Sequence, residues 1–423
     1  MYRRGHLKNG MAYVFVPKSD TDVVITIGVG RGSADESRSW RGVTHYIEHL
    51  AGECFRARKQ IACQLDLLGA DFNAETSEDM TKWWIRIPAR HWRWGLELMA
   101  ELLLNPDFTQ ADFEFEGHCI REELADIADD LENQVALLRD RQLFPGHGLS
   151  RHVVGTPYSL QRLTLERVLR YWERLLDPRI MAITVVGRFE ATPVITAINQ
   201  LFGSLSPPQQ PIALRSFDIP QPTSRISIVR AERQQVSLVA TIPVPGFGHR
   251  QRAALQLLNN CIGDMNSSPL WLQARQRGLV YSLHSDIWHY PEVGLLTIAT
   301  SCGRLKVMPL LTLIRRTLDR YYLGGITTDL FDAAKRAALS YHQRRWKESE
   351  YIGRLLLAQL LVHSNLELYP ALRRRIARVR LQDVNAVAKR YLAPANRYLT
   401  VIGPVTRADR HKIKRLWRGG RST

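Results

Sequence analysis

Cysteine is scarce in this sequence, and the few there are form no pattern. Cys54, Cys63, Cys119, Cys261 and Cys302 are odd in number and scattered, with no C-x-x-C pair. That excludes a disulfide framework and a thiolate-based metal site, and it fits a reducing compartment. Long apolar runs are also missing: no stretch approaches the roughly 20 residues that a membrane helix needs. The basic start, Met1-Tyr2-Arg3-Arg4-Gly5-His6, has no apolar core of a signal peptide behind it; Met11 to Val16 is short and strand-like. The expectation is a soluble, cytoplasmic protein with no membrane span. Zinc knuckles, RNA-binding signatures and Gly-rich phosphate loops are absent too. A net charge of +17 therefore predicts no specific nucleic-acid partner. The charge is carried mainly by arginines that sit among acids on helix faces.

What is present has an ordinary globular balance, 45% hydrophobic and 23% charged over 423 residues. That length is too great for one small domain. The chain carries an internal repeat. Leu165 to Gly187 reads LERVLRYWERLLDPRIMAITVVG, and Leu381 to Gly403 reads LQDVNAVAKRYLAPANRYLTVIG. Shifted by 216 residues they align without a gap: Pro178 meets Pro394, Thr184-Val185 meets Thr400-Val401, and Gly187 meets Gly403. Each predicts an amphipathic helix, a proline break and an apolar strand ending in glycine. Val23–Gly30 and Val236–Gly246 repeat at nearly the same offset. We read two similar halves, residues 1–205 and 214–423, joined by a proline-bearing linker over 206–213 within SLSPPQQPIAL.

Strands are expected at Val23–Val29, Trp83–Pro88 and Met181–Gly187. Helices are expected at Arg41–Ala51, Arg58–Leu68, Trp92–Leu104, Thr109–Leu143 and Leu165–Leu175. This order does not alternate strictly between strand and helix. It predicts an α+β fold: two homologous α/β-sandwich halves, with helices packed on a mostly antiparallel sheet.

The chemistry concentrates in His45-Tyr46-Ile47-Glu48-His49. On a helix His45 and His49 stand one turn apart and point the same way, the spacing at which two imidazoles grip one metal ion. Glu48 lies on the adjoining face, within reach of a metal-polarised water. H-x-x-E-H is the inverted order of the zinc-peptidase motif. Catalytic zinc takes three protein ligands and keeps one open position, so a third ligand is required from elsewhere. The helix beginning near Thr109 offers it. Glu116 and Glu123 are seven residues apart and fall on nearly one line of that helix. We assign Glu123 as the third ligand and Glu116 as a carboxylate that orients a ligand or carries protons. Glu122, about 100° round the helix, and His118 are the alternatives.

These residues resemble the M16 metallopeptidases, the group of pitrilysin, insulinase and the mitochondrial processing peptidase. The likeness runs over nearly the whole chain, and its size is similar to the two-domain branch. The family's zinc helix resembles His45-x-x-Glu48-His49, and its E-x6-E helix resembles Glu116 and Glu123. Leu68 to Ser77, LGADFNAETS, is similar to a family segment that would set Asn73 near the water and the substrate backbone. Pro145 to Thr156 resembles a glycine-ending family loop. Gly278-Leu279-Val280-Tyr281-Ser282 resembles a second-domain segment whose tyrosine helps hold substrate. The family's clamp arginine stands seven residues before that tyrosine. Here the position is Ala274, and Arg275 and Arg277 are offset. Residues 51–55 also depart from the family pattern.

The resemblance implies Zn²⁺ as cofactor and a peptide substrate. It implies a chamber closed by a partner, in a homodimer or a heterodimer with an M16 paralogue. His45, His49 and Glu123 would hold the metal, Glu48 and Glu116 would serve catalysis, and Asn73, Tyr281 and Arg275 would hold substrate. The other reading is a non-catalytic or partner-dependent subunit of a heterodimeric peptidase. Shifted by 216, the four key residues fall near Cys261, Asp264, Met265 and Leu339. The second half is therefore expected to carry no zinc.

Overall fold

The run Met181–Gly187 is buried at every position, which marks the middle of a sheet. The computed structural model describes residues 2–216, 218, 225–362 and 366–418. Its strands are β1 (Arg3–His6), β2 (Ala12–Pro17), β3 (Asp22–Val29), β4 (Asp71–Thr76), β5 (Thr81–Pro88), β6 (Met181–Gly187), β7 (Ile226–Arg230), β8 (Val236–Pro245), β9 (Leu283–His289), β10 (Val293–Cys302) and β11 (Tyr398–Gly403). Helices of the first half, short turns aside, are α1 (Val43–His49), α2 (Lys59–Leu68), α3 (Trp92–Leu104), α4 (Gln110–Asp129), α5 (Leu131–Leu143), α6 (Leu165–Leu175) and α7 (Ala191–Phe202). Those of the second half are α8 (Arg252–Asn259), α9 (Pro269–Gln276), α10 (Val307–Tyr322), α11 (Thr328–Arg345), α12 (Ser349–Val362), α13 (Tyr369–Arg378), α14 (Leu381–Tyr391) and α15 (Arg407–Trp417).

The chain forms two compact units. One holds Met1–Asp126, Arg151–Ser216 and Arg345–Leu368; the other holds Ile127–Ser150, Phe217–Arg344 and Tyr369–Thr423. The first contains a six-stranded sheet in the order β1-β2-β6-β3-β5-β4. The second contains five strands in the order β7-β11-β8-β10-β9. The two orders are the same once β1 is set aside. In each, one pair is parallel, β2 with β6 and β7 with β11, and the pairs beyond it are antiparallel. The fold is therefore α+β, built from two similar sandwich halves.

In the first unit the side chains of the sheet alternate cleanly between two helix layers. Ile85 and Ile87 of β5 pack on α3, where Gly95 lets the helix approach. Thr26, Trp84 and Thr184 face the other way, onto α12. Thr184 Oγ1 donates to the Gly353 carbonyl at 3.1 Å, and the Arg354 guanidinium lies 5.1 Å from the Trp84 ring. In the second unit α5 takes the corresponding place. Val135 packs with Val239 and Ile402, and Thr400 Oγ1 donates to Gln142 Oε1 at 2.7 Å. Each sheet thus has one face covered by a helix from the other half of the sequence.

The expected single helix over Thr109–Leu143 is two helices. Asp130 takes an extended backbone, and its carboxylate accepts the amides of Glu132 and Asn133 as the cap of α5. The basic stretch from Arg407 to Trp417 is the helix α15. Thr406 and Asp409 form a capping box for α15, which buries Ile413, Leu416 and Trp417.

Candidate metal centre

The metal motif stands on a short helix fixed at both ends. Gly42 opens α1 with φ of 86°, and a Cβ there would lie 2.7 Å from the Val154 carbonyl, so only glycine fits. The free amides at that end are satisfied by a buried carboxylate. Glu36 accepts Gly42 N at 2.7 Å, Thr44 N at 2.9 Å and Thr44 Oγ1 at 2.6 Å. Burial pushes the Glu36 carboxyl up to about 7, against the pull of those bonds. After His49 the helix widens into a π-turn, Leu50–Cys54, where Gly52 approaches Ala74 of the edge strand β4.

Helix α4 lies against α1. The Tyr46 and Phe113 rings stack with centroids 4.6 Å apart, and the Tyr46 hydroxyl donates to the Phe113 carbonyl. A Cβ on Gly117 would come within 2.5 Å of that hydroxyl oxygen. This contact carries Glu116 and Glu123 to the histidines. Ligand-type atoms of His45, His49 and Glu123 all lie within 4.8 Å of one another, the one such grouping found among the described residues. Glu123 Oε2 is 3.4 Å from His45 Nε2 and 3.3 Å from His49 Nε2. Glu48 Oε2 is 3.7 Å from His45 Nε2. On the far side of the His49 ring, Nδ1–H donates to Glu116 Oε2 at 3.0 Å. Glu122 and His118 are exposed.

The electrostatics divide the two histidines. Burial pushes His45 down to about 4, against the attraction of Glu123. Burial acts on His49 too, but its bonds to Glu116 and Glu123 and the charge of Glu48 outweigh it and hold it at about 9. Burial raises Glu48 to about 7, opposed by His49 and by hydrogen bonds from Thr76. The bond from His49 holds Glu123 below the usual carboxylate range, against partial burial. Two imidazoles and one carboxylate form a donor set that suits zinc and leaves room for a fourth ligand. The Nε2 atoms of both histidines face Glu123. His45 Nδ1, by contrast, is buried with no hydrogen-bond partner among the described residues. The arrangement places a converging negative charge where a cation would be held.

The other expected residues are distributed differently. Asn73 is exposed on β4, and its Oδ1 accepts the next amide, Ala74 N, at 2.8 Å. Tyr281 and Arg275 belong to the second unit. Tyr281 is 84% exposed; Arg275 donates to its carbonyl at 3.4 Å and holds its guanidinium 5.4 Å from the ring. The structure therefore sets Arg275 against Tyr281, while Arg277 turns to Gln273. Sequence reasoning missed Glu36, Tyr46, Thr76 and Gly117. Glu36 lies nine residues before His45, outside the three-residue spacing of a capping box, so no local rule flags it.

The internal repeat also gains a register. The second unit has its own π-turn, Asn260–Asp264, after α8. Matching it to Leu50–Cys54 sets Leu255, Leu258 and Asn259 opposite His45, Glu48 and His49. The uniform shift of 216 is thus corrected to 210 here, because the stretch between this turn and the glycine that ends β6 or β11 is longer in the second half.

Comparison with known proteins now adds a name for this architecture. A model described as insulinase (peptidase family M16) matches residues 13–157, and one described as the peptidase M16 inactive domain matches 162–338. Together they take in most of the chain. The chain belongs to peptidase family M16. Among M16 relatives, an uncharacterized zinc protease of Mycobacterium tuberculosis is 27% identical over 413 residues, 95% of this chain and 93% of that protein. One of Bacillus subtilis is 25% identical over 339 residues, 79% and 82% of the two chains. The M16 fold is shared with a protease from Helicobacter pylori at a TM-score of 0.87 and 20% identity, covering 95% of this chain and 99% of that one. A peptidase M16 inactive domain from Pseudomonas fluorescens matches at 0.86 and 18%, covering 96% and 98%.

Proposed function

We propose that this M16 protein is a zinc-dependent endopeptidase that cleaves peptides or unfolded polypeptides inside a chamber closed by a partner subunit. The carrying observation is the meeting of His45, His49 and Glu123, with Glu48 3.7 Å from the His45 ring nitrogen. The names of the curated relatives support zinc as the metal. His45, His49 and Glu123 would hold it. Bound there, zinc supplies Lewis acidity that lowers the pKa of a water and polarises a carbonyl. Glu48, with its carboxyl raised to about 7, takes a proton from the attacking water and passes it to the departing amine. Glu116 keeps Nε2 of His49 turned toward the metal.

β4 is an edge strand beside α1, so a peptide can add to it through backbone hydrogen bonds. Asn73 on that strand and the Tyr281–Arg275 pair of the second unit are the substrate-holding residues in this reading. Residues 1–205 would carry the metal, and 214–423 would serve binding without one. The partner is a second copy or an M16 paralogue, and the compartment is the cytoplasm. No helix among the described residues is long and apolar enough to cross a membrane.

The test is metal analysis of the purified chain, together with peptide-library cleavage read by mass spectrometry, alone and with a paralogue. One zinc per chain and cleavage that a chelator stops and zinc restores are expected. Glu48→Gln should keep the zinc and lose about 10²–10⁴-fold in turnover. Wild-type turnover in that variant, or a chain that takes up no zinc, would sink the proposal.

A further inference from the structure

The second unit contains a cationic cavity that the peptidase reading does not use. It has a volume of about 260 Å³ and lies between α9 and α10. Arg277, Arg316 and Arg320 line it, with Gln273 and Thr312 beside them, and among the described residues no carboxylate does. Arg316 and Arg320 are one turn apart on α10 and so share a face. All three arginines are exposed. Among the described residues neither Arg316 nor Arg320 forms an ion pair, and Arg277 reaches only the neutral Gln273 Oε1, at 3.3 Å.

The internal repeat supplies a comparison from the same chain. The corresponding cavity of the first unit, about 430 Å³ between α2 and α3, also holds cations, Arg58 and Lys59. There the charge is balanced on the spot. Glu101 and Asp107 line the same cavity, and Arg58 Nη1 meets Asp107 Oδ1 at 2.6 Å. Aligning the two helix pairs puts Arg316 where the first unit has Glu101. The second unit thus has an arginine in place of an acid and keeps two more arginines around it. Three like charges in one concavity repel unless an anion joins them. Arginine forks pair with both carboxylates and phosphates, but a phosphate group offers more oxygens and more charge, enough to engage several guanidiniums at once.

We propose that the α9–α10 cavity binds a phosphate group of a soluble phosphorylated small molecule, held by Arg277, Arg316 and Arg320. The proposal stands apart from the metal centre and does not depend on proteolysis. The test titrates inorganic triphosphate into the full chain by calorimetry at low and moderate salt. One site per chain is expected. The double variant R316Q/R320Q should bind at least tenfold more weakly while keeping the wild-type melting temperature. R373Q/R374Q removes two exposed arginines of α13 outside the cavity and should bind as the wild type does. Equal weakening in both variants would mean diffuse attraction to a basic surface, and it would overturn the site. So would the absence of saturable binding. Displacement of triphosphate by phosphatidylglycerol vesicles, but not by phosphatidylcholine vesicles, would assign the surface to a membrane and overturn the soluble ligand.

Discussion

Glu116 and Glu123 hold the His49 ring from opposite edges, Nδ1 at 3.0 Å from Glu116 and Nε2 at 3.3 Å from Glu123. In the proposed site one carboxylate would fix the tautomer and the other would share the metal. Glu116 itself is only 2% exposed, so its negative charge is felt with little screening. Glu116→Gln keeps the shape and removes the charge. Zinc affinity, measured by competition with a chromogenic chelator, should fall about 10–100-fold. The fold should persist, and circular dichroism checks that.

Gly117 is a glycine in the middle of a long helix, where it costs about 1 kcal/mol relative to alanine. It is there because Tyr46 fills the space a Cβ would need. Gly117→Ala should therefore lower the melting temperature and loosen zinc binding, despite its better helix propensity. The nearest atom is the tyrosine oxygen, so Tyr46→Phe in the same chain should recover part of the loss. A double-mutant cycle on thermal stability measures the coupling.

Glu36 touches no ligand, yet it closes the N-terminal end of α1. Glu36→Ala leaves two buried amides and a threonine hydroxyl without their acceptor, each worth about 1–3 kcal/mol when unsatisfied. The expected result is a clear drop in chemical stability of the metal-binding unit together with weaker zinc retention. Glu36→Gln keeps one acceptor oxygen and should fall between the wild type and Ala. Urea unfolding of the three proteins ranks them.

His342 makes stability depend on pH in the second unit. It is 7% exposed and hydrogen-bonded to Gln256, and burial with Arg252 and Arg375 nearby pushes it down to about 4. An unfolded histidine titrates near 6.5. The unfolded chain therefore gains a proton first as pH falls, and stability present above about pH 6.5 is lost progressively toward pH 4. The contribution is on the order of 1–3 kcal/mol. His342→Gln removes the titration, so its melting temperature should fall less steeply between those two pH values.

Much of this molecule was legible where local physics decides. α3, α6 and β6 have the bounds read from sequence, Trp92–Leu104, Leu165–Leu175 and Met181–Gly187. The two helices show a helical period and β6 an unbroken apolar run, and Thr164 caps α6. The H-x-x-E-H pair is legible because the four-residue spacing alone puts both rings on one face. Periodicity could not choose between Glu123 and Glu122; the approach of α4 at Gly117 does, since it fixes which line of the helix meets α1. β4 was not read as a strand. Its burial alternates, but Asp71, Asn73 and Glu75 give it the composition of a loop. The π-turn and the break at Asp130 were hidden for a related reason: one residue's backbone, stabilised by distant packing or by its own side chain, leaves no periodic trace.

Thr184 and Thr400, matched already by the 216-residue shift, each tie down a helix from the opposite half. The proline segment between the halves is therefore a poor place to divide the protein. A piece ending there keeps its own sheet but lacks α12, and the remainder lacks α5. Each fragment would present a broad apolar sheet face to water, the kind of surface that drives aggregation. Co-expressing the two pieces should restore soluble material that neither yields alone. The duplicated halves have become mutual chaperones, obliged to be made together.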